Sequence, residues 1–272
     1  MAAVRIWCVL LGLVFAVAGC ATTTVVGTPP ASSPPSVAEG PRLPTVPAAT
    51  ARPDLPVPTD AAEVRQFIGA VFTDAQQQWQ ETFAAAGVAY RPARLVLFTA
   101  ALRTGCGVET SKVGPFYCPA DRTVYLDATF FDELQAKYGV GGDFAQAYVV
   151  AHEVGHHIQN MTGTMAQVAR LERSAPQYAN QLSVLQELQA DCYAGVWAHS
   201  TYERGLLEPG DIDEALNAAA AVGDDFLQRT STGTVRPENW THGSSAQRQQ
   251  WFTTGYQSGD PNACDTFQAA RH

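Results

Sequence analysis

Residues 143–160 repeat apolar side chains at helical spacing, with Phe144, Ala147, Tyr148, Ala151, Val154 and Ile158 in one stripe, and carry His152-Glu153-Val154-Gly155-His156 inside the repeat. A four-residue step is about 6 Å of rise and just over one turn, so both imidazoles leave one face and can share a metal ion. Glu153 stands about 100° round the helix, where its carboxylate reaches a water on that metal rather than the metal itself. Asp143 is read as the N-cap. Gly155 costs about 1 kcal/mol against alanine at such a position, which the close approach of another backbone would explain.

A hydrolytic zinc takes three protein ligands and keeps one position open. Glu187-Leu-Gln-Ala-Asp191 falls on a helix expected over about 178–203, and its spacing places both carboxylates on one face. Glu187 is the candidate third ligand, and Asp191 the acceptor for the second N–H of a ligand histidine. His199 and His242 compete for the third place, whereas His157 points elsewhere and Thr162 excludes a third histidine six residues after His156. For an oxyanion the candidate donor is His242, with Tyr202 and Arg248 as lesser ones; a packing histidine is the equal alternative for His242.

The 272 residues carry a formal charge of −9, which argues against a nucleic-acid partner. A hydrophobic share of 46% sustains a folded core, and the length suits one domain with an appendage. Arg5 precedes an apolar stretch over 6–21, too short to span a bilayer, that ends in Val17-Ala18-Gly19-Cys20. Residues 1–19 read as an export signal. The last four resemble the lipobox of bacterial lipoproteins, which implies cleavage before Cys20, its acylation, and retention on the outer face of the membrane. Cleavage after Ala18 and an uncleaved anchor are the other readings. Residues 20–58 hold ten of the 17 prolines and almost no large apolar side chain, the composition of a semi-rigid tether.

The folded domain is assigned to 59–272. Asp60 and Glu63 form a capping box for a helix that runs to about Ala86 and stops at Gly87. Strands are expected at 94–99 and 123–126, and the second offers its edge to an extended peptide or lies in the core. Helices follow at 130–137, 143–160, 178–203, 211–228 and 245–257, so the class is α+β: a small, mostly antiparallel sheet with many helices. With Cys8 and Cys20 set aside, four cysteines remain. Two disulfides are expected, Cys106 with Cys118 and Cys192 with Cys264; a cysteine-ligated zinc is the weaker reading because no CxxC pair exists.

The two metal-site segments, together with Asp213-Glu-Ala-Leu-Asn-Ala, Trp240-Thr-His-Gly-Ser-Ser-Ala-Gln-Arg248, Gly114-Pro-Phe-Tyr-Cys118-Pro and Val124-Tyr-Leu-Asp127, resemble the bacterial putative neutral zinc metallopeptidases over about 60–270. That family is similar to thermolysin-like gluzincins in its ligand scheme. The resemblance implies a zincin-like catalytic domain with one zinc on His152, His156 and Glu187, Glu153 as general base, and a peptide or protein substrate. A non-enzymatic zinc lipoprotein and a cell-wall peptide amidase are the alternatives.

Overall fold

The computed structural model describes residues 33–45, 58, 60–110, 114–127 and 129–271; the leader, Cys20 and part of the expected tether lie outside them. Asp60 accepts from the amides of Ala62 and Glu63 at 2.7 and 2.9 Å and so opens α1 (Ala61–Ala85). Phe67, Ile68, Val71, Ala75, Trp79 and Phe83 form the buried stripe of that helix. Gly87, at φ +70°, stands just beyond its end.

Among the described residues five short strands follow: β1 (Arg94–Phe98), β2 (Leu102–Thr104), β3 (Gly107–Glu109), β4 (Phe116–Cys118) and β5 (Thr123–Asp127). β2 and β3 make an antiparallel hairpin of their own, and the other sheet has the order β1-β5-β4. β4 is antiparallel to β5, with Tyr117 opposite Val124, whereas β1 is parallel to β5, with Val96 opposite Tyr125. With β2–β3 and β4–β5 antiparallel, the pairing is mostly antiparallel as expected, and β1–β5 is the parallel pair. It is possible because the hairpin and β4 return the chain to the start of the sheet before β5 begins. β5 is buried along its whole length and lies in the centre, so it offers no free edge; β4 and β1 hold the edges.

The helices are α2 (Phe130–Tyr138), α3 (Asp143–Thr162), α4 (Thr164–Ser174), α5 (Ala179–Glu203), α6 (Asp211–Ala221), α7 (Asp224–Thr232), α8 (Ser245–Ser258) and α9 (Thr266–Ala269). α4 is an addition to the sequence reading. The single helix expected over 211–228 is broken at Val222 and Gly223, where a Cβ on Gly223 would strike the backbone of Ser245 and the Asp224 amide donates to Gly243. Asp143 is the first residue of α3 rather than its cap. Gly142, at φ +104°, takes that place, and Glu214 of α6 accepts the amide of Phe144 at 3.1 Å.

α5 is buried on every face from Leu188 to Ala198, which makes it the central helix. A Cβ on Gly155 would lie 2.9 Å from the Ala190 carbonyl oxygen, so α3 meets α5 at backbone distance, as the cost of that glycine suggested. Gly195 and Gly255 serve α5 and α8 in the same way. Both expected disulfides are formed, Cys106–Cys118 across 12 residues and Cys192–Cys264 across 72. On the chain-entropy model they are worth roughly 3 and 4 kcal/mol. The second clips the C-terminal turn Pro261–Cys264 to α5 beside Asp191.

Residues 33–45, within the expected semi-rigid tether, lie against the domain. Val37 and Leu43, the large apolar side chains of this stretch, are buried at 6% and 3% exposure. Each stands beside a two-way amide clasp: Gln167 accepts from the Ala38 amide at 2.8 Å and donates to its carbonyl, and Asn262 does the same for Leu43. Two apolar anchors and four backbone hydrogen bonds work against the ordering entropy that composition alone assigned to the segment.

His157 joins α3 to the sheet. It is fully buried, its Nε2 2.9 Å from the Arg91 carbonyl and its Nδ1 2.9 Å from the Tyr117 hydroxyl. The carbonyl only accepts, so Nε2 carries the hydrogen and Nδ1 accepts from Tyr117. Burial holds the ring's pKa down to about 4, and it stays neutral in the folded chain. Below pH 6.5 the unfolded chain protonates first, so this contribution is complete above pH 6.5 and roughly 3 kcal/mol of it is lost as the pH falls to about 4. Melting curves at pH 7 and 4.5 should therefore differ more for the wild type than for His157→Phe.

Candidate active site

The two four-residue spacings meet where α3 crosses α5. His152 Nε2 lies 3.1 Å from one oxygen of Glu187 and His156 Nε2 3.3 Å from the other. A tetrahedral zinc with bonds of about 2.0–2.1 Å holds its donor atoms about 3.3 Å apart, so these two nitrogens and one carboxylate have the spacing and the chemistry of a three-ligand zinc site. Of the competing third ligands, His199 turns its Nδ1 to the carbonyl of Tyr256, and neither it nor His242 joins this cluster.

Each imidazole is held by its other nitrogen. His152 Nδ1 donates to Asp191 at 2.8 Å, as the spacing predicted, and His156 Nδ1 donates to the amide oxygen of Gln159 at 2.9 Å. Gln159 is itself oriented by donating to the carbonyl of Gln186 at 2.7 Å. Both acceptors leave Nε2 as the bare, inward nitrogen, the tautomer a metal requires. Asp191 is wholly buried and also accepts from Tyr148 at 2.5 Å and from Arg248 at 2.8 and 2.9 Å. Arg248 spends Nε and one N–H of Nη2 on Asp191, and it also lines the cavity above the cluster. In the metal-free chain burial works to lower the pKa of His152, but the Asp191 and Glu187 carboxylates overcome it and bring it up to about 10, so a metal at Nε2 takes the place of a proton there.

Glu153 is not part of the ligand cluster. It is 6% exposed, and its Oε2 is buried with no hydrogen-bond partner among the described residues. Burial raises its pKa above the ordinary carboxylate value against the pull of both imidazoles. A buried acceptor with nothing to accept from, beside three convergent donors, fits a water held at a metal. The cavity over it is about 490 Å³, and its lining includes Tyr148, Val149, Phe130, Leu227 and His242.

His242 reaches this cavity from the loop before α8. Asp224 fastens the loop by accepting the amides of Thr241, His242 and Gly243 at 2.7, 2.6 and 3.0 Å. Burial works to raise the pKa of Asp224, but its hydrogen bonds to His242 and Thr241 hold it below the usual value. The His242 ring, about half exposed, keeps Nδ1 near Asp224 at 3.4 Å and Thr241 at 3.0 Å, which leaves Nε2 for a substrate. Tyr202 is 58% exposed, packs on Tyr256 and is absent from the lining.

Over residues 4–267 the chain matches the family described as putative neutral zinc metallopeptidase. The chain belongs to this family. The match begins well ahead of residue 60 and so takes in the segments that the motif resemblance had left aside. Uncharacterized protein YpfJ of Escherichia coli K12 is 50% identical over 206 residues, 75% of this chain and 72% of the relative. Uncharacterized protein Rv2575 of Mycobacterium tuberculosis H37Rv is 54% identical over 192 residues, 66% of this chain and 64% of the relative. No solved structure matches.

Three partners of this candidate site escaped the sequence reading. Tyr148 and Gln159 carried a local signal, four residues before His152 and three after His156 on the same helix face. Asp224 carried none, because it meets His242 only through the fold. A second carboxylate group, Asp143, Asp211 and Glu214, serves helix starts: Asp211 and Glu214 accept the amides of Glu208 and Phe144.

Proposed function

We propose that the chain is an exported zinc endopeptidase, tethered to the outer face of the membrane through acylated Cys20, with one zinc on His152, His156 and Glu187. The observation that carries the reading is the convergence of three donors beside the partnerless oxygen of buried Glu153. A zinc kept for structure has four protein ligands and no use for such a carboxylate. Bound zinc makes a water more acidic and polarises the scissile carbonyl.

The chain's own groups supply the rest. Glu153 takes the proton of the attacking water and returns it to the departing amine nitrogen, work suited to a carboxylate whose pKa burial has raised. His242, its amide held by Asp224 and its Nδ1 accepting from the Thr241 hydroxyl, donates Nε2–H to the developing oxyanion. β4 is an edge strand, and Gly114, Pro115, Phe116 and Tyr117 line the cavity. An extended substrate adds to that edge by main-chain hydrogen bonds, in place of the central β5.

Zinc content tests the ligand set. The purified wild type should retain one zinc per chain through gel filtration against a weak chelator, and Glu187→Ala should retain less than about a tenth of that. Wild-type retention by Glu187→Ala would remove Glu187 from the site.

A further inference from the structure

A second cavity, of about 550 Å³, lies beside the His242 loop. Asn180, Gln181 and Val184 of α5 line it together with Pro176, Pro237 and Trp240. The indole Nε1 of Trp240 is buried and has no acceptor among the described residues. Buried N–H groups are almost always paired, so this one calls for an acceptor beyond the described residues.

The cavity is built on the same loop and the same helix as the candidate active site, with no lining residue in common. Trp240 stands two residues before His242 in one loop, and α5 holds that loop: Asn180 donates to the Glu238 carbonyl at 2.9 Å and Ser183 to the Thr241 carbonyl at 2.8 Å. Asn180, Val184 and Glu187 follow each other on one face of α5 at i, i+4 and i+7. Seven residues of helix are about 10 Å, the span of about three residues of extended peptide.

We propose that this cavity is a distal subsite of the same cleft, taking a proline about three residues from the scissile bond of an extended peptide. The assignment rests on the peptidase reading. The peptide carbonyl at that place accepts from Trp240 Nε1, and the indole face and Pro176 and Pro237 pack on the ring. A proline-containing segment is already extended and gives up little entropy on docking, the logic of aromatic-lined grooves that bind polyproline. Glu238 is the charged residue of the lining and disfavours an acidic side chain there.

The test uses the full chain carrying Glu153→Gln, which is to bind without turnover, and alanine-leucine decapeptides in which one proline is stepped along the chain. The Trp240 indole N–H resonance, identified by its loss in Trp240→Phe, should shift with the decapeptides that place proline at this subsite. Trimming those peptides to hexamers that lack it should weaken binding about tenfold, and Trp240→Phe should level the difference. A Trp240 signal unmoved by decapeptides that bind overturns the subsite. So does wild-type cleavage that is independent of peptide length, and this result leaves the peptidase reading standing. A signal that moves on deletion of residues 21–32 with no peptide present means that the chain's own upstream segment fills the cavity, and overturns it too. Peptides that shift Trp240 but are never cleaved by zinc-loaded wild type overturn the peptidase reading and the subsite with it.

Discussion

Glu153→Gln is expected to keep its zinc and lose about a thousandfold of its peptide cleavage, within the range for removal of a general base. The amide has the shape of the carboxylate but cannot take a proton from water. Zinc stays because the three convergent donors do not include Glu153. Folding should not suffer. Burial already disfavours the charge on Glu153, and its Oε2 gives up no protein hydrogen bond when the charge is removed. Zinc content, a melting curve and peptide cleavage on one preparation check all three statements. Loss of zinc together with activity would instead make Glu153 a ligand.

Asp191→Ala should be the most damaging single change to the site. The substitution removes the acceptor of Tyr148, His152 and two Arg248 bonds, and it leaves a guanidinium that is 3% exposed with the Val222 carbonyl at 3.3 Å and Glu187 at 4.0 Å. Breaking one side of a buried ion pair costs about 3–5 kcal/mol. Freeing the ligand imidazole costs about 10–100-fold in metal affinity on top of that. The two losses are separable. Asp191→Ala with Arg248→Met removes the stranded charge and should recover most of the stability, while zinc affinity stays low because His152 still lacks its acceptor. Denaturant unfolding and zinc competition on both variants read the two quantities. Recovery of zinc affinity in the double variant would show that Asp191 acts on stability alone.

The parts of the molecule that were legible in the sequence are those written at helical spacing. His152 and His156, and Glu187 and Asp191, are each four residues apart on one helix, so their shared faces follow from rise and turn, and the structure needs only to cross α3 over α5. Gly155 announced that crossing through its own cost. What escaped is nonlocal or too short to leave a period. β2, β3 and β4 are three residues each, below any alternation, and the parallel pairing of β1 with β5 depends on where those strands return the chain. The clasp of residues 33–45 hangs on two isolated side chains, Val37 and Leu43, in a stretch whose composition reads as tether. Asp224 lies 18 residues from His242, and only the break between α6 and α7 brings them together.

The most direct measurement is cleavage of a diverse peptide mixture, read by mass spectrometry, by protein stripped with chelator and then given one equivalent of zinc. The account predicts no cleavage by the stripped chain, full recovery at one zinc per chain, and about a thousandth of that from Glu153→Gln under any zinc loading. Cleavage that survives stripping, or that Glu153→Gln performs as well as the wild type, would contradict it.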